Sequence, residues 1–288
     1  MNVESLLQFT LSGITVGSIY GLAALGFTLV FNATGVINFA QGQFVMLGGL
    51  IATTFANTLG WPMPLTVAAA VLATALAGGV IEMLTIHPMR HRPVFTLIMI
   101  TLGVSIVLEA IALLAWGTDP IFLPTFSEDK PIPFFGATLQ PQMLWVLGVA
   151  LAAMLALQAF YRYTMMGQAM LACSYNPTAA AAVGIDRRRI VFMAFVFAAG
   201  LGALGGVLIA PITTTGYSIG LLMSLKGFAA AIIGGMGSSL GAVLGGLALG
   251  LVEAMSTGLV SSGYKDAISL GILIVFLILR PQGLLGSK

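Results

Sequence analysis

Charge is what this sequence has least of. Only 7% of its 288 residues are Asp, Glu, Lys or Arg, against roughly a quarter in a water-soluble domain, so water alone cannot solvate its surface. The charge balance is equally thin. A formal excess of +2 without a polybasic run excludes nucleic acid as a partner and leaves the basic residues as orientation signals. Cysteine is nearly absent too: Cys173 stands alone, which rules out an internal disulfide framework and leaves a small, inert side chain as its reading. The sequence also lacks the phosphate-cradling G-x-x-x-x-G-K-[ST] loop and the H-E-x-x-H and C-x-x-C metal patterns. No ATPase chemistry, metal or bound cofactor is therefore expected of this chain. His87 and His91 are four apart, but Pro88 and Pro93 flank them in a basic loop, so they read as interfacial residues rather than ligands.

What the sequence has in excess is apolar length. Hydrophobic residues make up 59%, and apolar runs longer than the ~20 residues that cross a bilayer recur along the whole chain. The expected fold is an all-α integral membrane bundle of about eight or nine crossings, one polytopic membrane domain over residues 1–288. Hydropathy places helices near Leu6–Phe31, Phe39–Asn57, Pro64–Thr85, Val94–Trp116, Met143–Tyr161, Ile190–Ile212 and Ala267–Leu279, with a glycine-broken region over Leu225–Met255. The 36 glycines suit close helix packing in lipid, where small residues let backbones approach. Met1–Gln8 carries no positive residue and the apolar run after it is too long for a signal-peptide core, so a retained first helix is expected.

Sidedness follows from the arginines. Arg90 and Arg92 lie between His87 and Pro93, and Arg162, Arg187, Arg188 and Arg189 bound the polar stretch 162–189; both segments should be cytoplasmic. The loop 117–142 holds Asp119, Glu128 and Asp129 against Lys130, with five prolines, as an ordered external loop would. Alternation then puts the N-terminus outside, while Arg280 and Lys288 put the C-terminus inside, which requires an odd number of crossings. The series Gly234-Gly-Met-Gly-Ser-Ser239 resolves the parity by predicting a short or half-helix near 225–239. Non-helical backbone at membrane depth survives only when buried in protein or lining a wet cavity, so this element is expected on the translocation path or against a partner subunit. The alternative is a flexible surface turn between two ordinary helices.

Few residues are candidates for chemistry. Glu109 and Glu253 are acids within apolar runs, where charge is costly. Glu109 either faces a pore or is hydrated near the external interface; Glu253 reads as structural. Lys226 is the only basic residue near such a role, which weakens an ion-coupled carrier. Asn38, Gln41 and Gln43 join the first two helices and either polarise a pore wall or bond helix to helix. With Gly234 and Gly235 and Glu109, they make up the candidate translocation path. On the cytoplasmic side, Asn176-Pro177 starts a turn, and Thr178, Ala179, Ala180, Ala181, Ala182 and Val183 form a short helix closed by Gly184, with Ile185 and Asp186 beyond. Its small residues suit a groove of another protein, and Arg187–Arg189 suit acidic partner residues or lipid head groups; the alternative is a plain connector.

Three stretches carry a resemblance: Gly35 through Gly48, Asn176 through Asp186, and Ala230 through Glu253 with Tyr264-Lys-Asp266 and Arg280 through Gly286. They resemble the permeases of branched-chain amino-acid ABC importers, of the LivH type, over nearly the full chain. The resemblance implies a second, LivM-like permease, two ATP-binding subunits that carry ATP and Mg, and a periplasmic or surface solute-binding protein, in a bacterial inner membrane. It also implies that Thr178–Gly184 is the coupling helix and that leucine, isoleucine and valine are the solutes; related permeases carry other amino acids, urea or short amides. Ser174-Tyr175 before Asn176, and the scarcity of acids before Asp186, depart from the commoner pattern. An ion-coupled carrier or a passive channel remains the rival from another class.

Overall fold

The computed structural model describes residues 3–89, 92–128, 130–134, 136–259, 262–280 and 282–285; Arg90, His91, Asp129 and Lys288, on which parts of the reading above rest, lie outside them. The helices are α1 (Val3–Thr34), α2 (Gln41–Thr53), α3 (Met63–Ile81), α4 (His87–Met89), α5 (Val94–Trp116), α6 (Pro141–Tyr163), α7 (Met165–Tyr175), α8 (Pro177–Ala182), α9 (Arg187–Ile209), α10 (Ile219–Gly234), α11 (Ser239–Leu259) and α12 (Lys265–Leu279). A five-residue π turn extends α2 through Thr58, and another joins α3 to α4. The only sheet among the described residues is an antiparallel hairpin in the external loop, β1 (Ile132–Phe134) with β2 (Ala137–Leu139). Among the described residues six helices are long and apolar enough to cross a membrane: α1, α3 with its π turn and α4, α5, α6, α9 and α11. The shorter α2, α10 and α12 join the same bundle.

Glycine decides how closely the bundle packs. On α1, Gly17 meets Gly246 and Gly250 of α11, and Gly21 lies against Gly246; a methyl group at Gly250 would overlap the backbone of Gly17. The same device seats α2 on α9, where Gly206 abuts Val45 and Gly48 abuts Ala203. In a bilayer, where exclusion of water does not drive association, such contacts supply the van der Waals surface that holds helices together. Helices α1, α2, α9 and α10 form the buried centre, whereas α5 and α6 bury only 22% and 17% of their most apolar windows.

The two ends of the bundle differ in charge. One gathers Thr34, His87, Asp186, Arg187 and Arg188 around a common pocket. The other is tied by Thr138 N donating to Gln8 Oε1, Asn57 Nδ2 to Phe122 O, and a bridge between Ile121 and Thr215. The arginine-rich end is the one that the positive-inside rule expects in the cytoplasm, and on that expectation α1 runs inward from an external start.

The region expected to hold one broken helix holds two. Helix α10 starts at Ile219, earlier than the expected Leu225, and stops at Gly234; Gly235 and Gly237, at φ 102° and 98°, reverse the chain into α11. This turn is neither on an open path nor on a flexible surface. The C-terminal segment closes over it, with Leu284 N donating to Ile233 O (2.8 Å) and Leu285 N to Gly234 O (2.9 Å), so the orphan carbonyls of α10 are satisfied. Asn32 Nδ2 donates to Gly237 O from the side (3.1 Å). A glycine is needed at 283 because its Cα sits against Gly235.

Candidate functional site

Two places concentrate polar chemistry, one at the arginine-rich end and one within the apolar part of the bundle. The first is the stretch 162–189. Thr164 Oγ1 accepts from Gly167 N (3.0 Å) to start α7, and Asn176 Oδ1 accepts from Ala179 N (3.0 Å) to start α8 with Pro177 as its first residue. Both are N-caps satisfying donors a helix start otherwise leaves orphaned. Helix α8 ends at Ala182, a residue or so before the expected Val183, because Gly184 at φ 87° turns the chain; a residue with a Cβ pays for that left-handed conformation. Gly184 N and Ile185 N donate back to Ala181 O and Ala180 O. Ala180 is the only buried residue of α8, while Thr178, Ala179, Ala181, Ala182, Val183 and Tyr175 are exposed. Asp186 Oδ1 accepts from Arg188 N to cap α9, and its other oxygen pairs with Arg189 at 3.3 Å. The result is a small, methyl-lined ridge on the cytoplasmic end. Beneath it Cys173 is buried, and that burial holds its thiol pKa above a free cysteine's, opposed by nearby Arg187.

The second place is where the chain re-enters between α1 and α2. A methyl group at Gly26 would collide with the Gln41 amide, so residues 35–40 climb back beside α1 by roughly two turns, about 12 Å. Asn38, Gln41 and Gln43 are all buried there. Gln41 Nε2 donates to Ala198 O of α9 (2.8 Å), Gln43 Nε2 to Ser105 Oγ of α5 (2.9 Å), and Asn38 Oδ1 accepts from Ala40 N (3.1 Å). Phe39 N donates to Thr101 Oγ1 (3.2 Å), and Ser224 Oγ of α10 bridges Phe39 O and Gly42 N. Gln41 and Gln43 thus bond helix to helix and Asn38 holds the start of α2, while Asn38 Nδ2, Gln41 Oε1 and Gln43 Oε1 keep no partner. Glu109 lies apart from them on α5, half-buried. Gly234 is packed on Gly241 and Gly235 on Gly283, so packing accounts for both.

What the sequence did not reveal is an ionic cluster across four helices. Lys226 Nζ of α10 lies 2.7 Å from Glu253 Oε1 of α11, 2.7 Å from Asp266 Oδ1 of α12 and 3.0 Å from the Tyr20 hydroxyl of α1. Tyr20 in turn donates to Glu253 Oε2 (2.9 Å). The Lys226 and Glu253 side chains are only 3% and 10% exposed, Asp266 42%. Asp266 Oδ1 is within ion-pair distance yet accepts no well-angled hydrogen bond, so its tie to Lys226 is purely coulombic. Lys226 and Glu253 stood out singly in the sequence; nothing local could announce that Tyr20 and Asp266 complete the set.

Comparisons with known proteins agree on the kind of molecule. Residues 9–277 match the family described as branched-chain amino acid transport system / permease component. The chain is 34% identical to the high-affinity branched-chain amino acid transport system permease protein LivH of Escherichia coli (strain K12), covering 97% of this chain and 95% of that protein. It is 32% identical, over the same shares, to the corresponding permease protein BraD of Pseudomonas aeruginosa. Among solved structures, a chain of PsaBC from Streptococcus pneumoniae in complex with Fab superposes with TM-score 0.52 at 16% identity, covering 98% of this chain and 94% of that one, a likeness of fold.

Proposed function

Because the chain belongs to the family of branched-chain amino-acid transport permeases, we propose that it forms one half of the membrane passage of an ABC importer for leucine, isoleucine and valine. It works in a bacterial cytoplasmic membrane beside a second, LivM-like permease. Two ATP-binding subunits hold ATP and Mg, and an external solute-binding protein delivers the solute; this chain hydrolyses nothing itself. The observation that carries the reading is the exposed ridge of α8, capped by Asn176 and closed by Gly184. A six-residue helix with one buried side chain contributes little to its own fold, and its small exposed residues fit a groove in a partner. Residues Asn176–Asp186 are the coupling element, and closure of the ATP-binding subunits against them rocks the bundle between its two openings.

The solute path runs past the seam where α5 meets residues 35–43. Polar groups at membrane depth mark such paths, and α5 is a peripheral helix tied there by Thr101 and Ser105. Displacing it would uncover Asn38 and Gln43, uncharged groups that suit a zwitterion, with Gln41 behind them between α1 and α9 and Glu109 on the outer part of the same helix. Gly234 and Gly235 serve the path only indirectly, by letting α10 and α11 close-pack.

Proteoliposomes containing all subunits and loaded with ATP should accumulate leucine only when the binding protein is present. Replacing Ala181 with cysteine should allow cross-linking to an ATP-binding subunit. The buried ionic cluster favours the rival of an ion-coupled carrier; uphill uptake by this chain alone, driven by a proton or sodium gradient, would establish that rival and remove the importer reading.

A further inference from the structure

One lateral face of the bundle is unfilled in a patterned way. Helices α3 and α6 both lean on α9 but make no substantial contact with one another, leaving a groove of about 420 Å³ whose walls include Leu72 of α3, Leu157 and Phe160 of α6, and Val196 and Leu204 of α9. All three helices are long and apolar enough to cross a membrane, so this groove lies at hydrocarbon depth. One turn nearer the cytoplasm on α9 a second hollow, of about 330 Å³, opens between Met83, Met166, Phe192, Met193, Arg188 and Arg189. Val196 above and Phe192 and Met193 below occupy successive turns of α9, so the two hollows share one stripe.

The stripe is apolar at depth and cationic at the interface. Arg162 ends α6 with its guanidinium over the Tyr163 ring (5.5 Å), and Arg187–Arg189 begin α9. Arg189 is paired with Asp186, whereas Arg188 forms no ion pair among the described residues. Glu82 and His87 also wall the lower hollow; four arginines against the carboxylates of Glu82 and Asp186 leave this end positive. Such a distribution matches one molecule, a lipid with an anionic head group in the cytoplasmic leaflet.

We propose that the α3–α6–α9 groove is a binding site for an anionic phospholipid, with an acyl chain between α3 and α6 and the phosphate at Arg188, which walls the lower hollow. The inference requires only that the chain spans a membrane and does not depend on the solute. A lipid seated there fills the gap beside α9 and meets Met166 at the start of α7, so it would stiffen the base of the segment that carries α8.

The test uses the whole importer, purified with its partner subunits in mild detergent and washed into nanodiscs of defined phosphatidylglycerol and phosphatidylcholine content. Native mass spectrometry and lipid extraction should find phosphatidylglycerol retained above its bulk share. Arg188→Gln should lower that enrichment by about fivefold, the fold-change equivalent to ~1 kcal/mol per arginine at a membrane surface. Ala156→Phe, or Leu72→Phe on the opposite wall, should reduce retention of both lipids, because each fills the apolar hollow and leaves the arginines in place. Retained lipid that mirrors the bulk mixture in wild type and variants alike would overturn the proposal. So would efficient cross-linking of Ala156→Cys to the partner permease, which would show a protein surface in the groove.

Discussion

Removing the ammonium of Lys226 should be the most damaging single change within the ionic cluster, and its size can be worked from the geometry. At 2.7 Å from each of two carboxylates, and with an effective dielectric near 20, each pair is worth about 6 kcal/mol of gross attraction. Much of that is offset by the cost of taking a nearly unexposed lysine out of water. Deleting one partner of a buried pair costs about 3–5 kcal/mol, because the charge left behind has lost its compensation. Lys226→Met leaves two carboxylates, of which Asp266, 42% exposed, regains water and Glu253, 10% exposed, does not. Glu253→Gln keeps the Tyr20 contact and leaves Lys226 paired with Asp266, so its cost should be nearer the ~1.5–3 kcal/mol of a charged hydrogen bond. Asp266→Asn touches the most hydrated partner and should cost about 0–1 kcal/mol. The apparent Tm of the assembled transporter in nanodiscs should therefore fall most for Lys226→Met and least for Asp266→Asn, by about 2 °C or less per kcal/mol for a chain of this size. The double variant Lys226→Met/Glu253→Gln should lose less than the sum of its parts by about 1–3 kcal/mol. Equal losses for Lys226→Met and Asp266→Asn, or strict additivity in the double variant, would refute a cluster held by charge compensation.

Three other outcomes are expected. Asn176→Ala removes the N-cap of α8, worth ~1 kcal/mol, and should lower solute-stimulated ATP hydrolysis without changing the amount of assembled complex; Gly184→Val, which forces a β-branched residue to φ 87°, should do so more severely. Gly250→Leu drives a side chain into the backbone of Gly17, and overpacking of this kind costs about 1–3 kcal/mol or more, so detergent extraction should yield little folded protein, while Gly103→Ala, with open space around it, should be silent. Cys173 should alkylate more slowly in the folded chain than after unfolding. Because burial raises its pKa, the rate should still be rising with pH where a free cysteine has levelled off; a plateau below pH 8 would contradict its burial.

Much of the fold was legible because its causes are local. Apolar runs of membrane length can only be helices, since a lipid-exposed backbone must satisfy its own hydrogen bonds, and arginine placement sets the expectation of which end faces the cytoplasm. The Asn176-Pro177 start and Gly184 stop of α8 are likewise written in adjacent residues. The long-range choices were not. Whether Gln41 and Gln43 turn to a pore or to a neighbouring helix depends on what packs against them, and α9 and α5 supply their partners across 157 and 62 residues. The break after Gly234 looked like exposed or pore-lining backbone because the segment that covers it, residues 283–285, lies far along the chain.

By itself, then, the sequence determined that this is a polytopic helical membrane chain with a small capped helix at its arginine-rich end, because hydrophobic length, capping and charge clustering act within a few residues. The tertiary structure alone decided that Tyr20, Lys226, Glu253 and Asp266 share one cluster and that a cationic-headed groove runs between α3 and α6. Those arrangements arise from how glycine-seamed helices settle against each other, and packing of that kind leaves no periodic trace in any single helix.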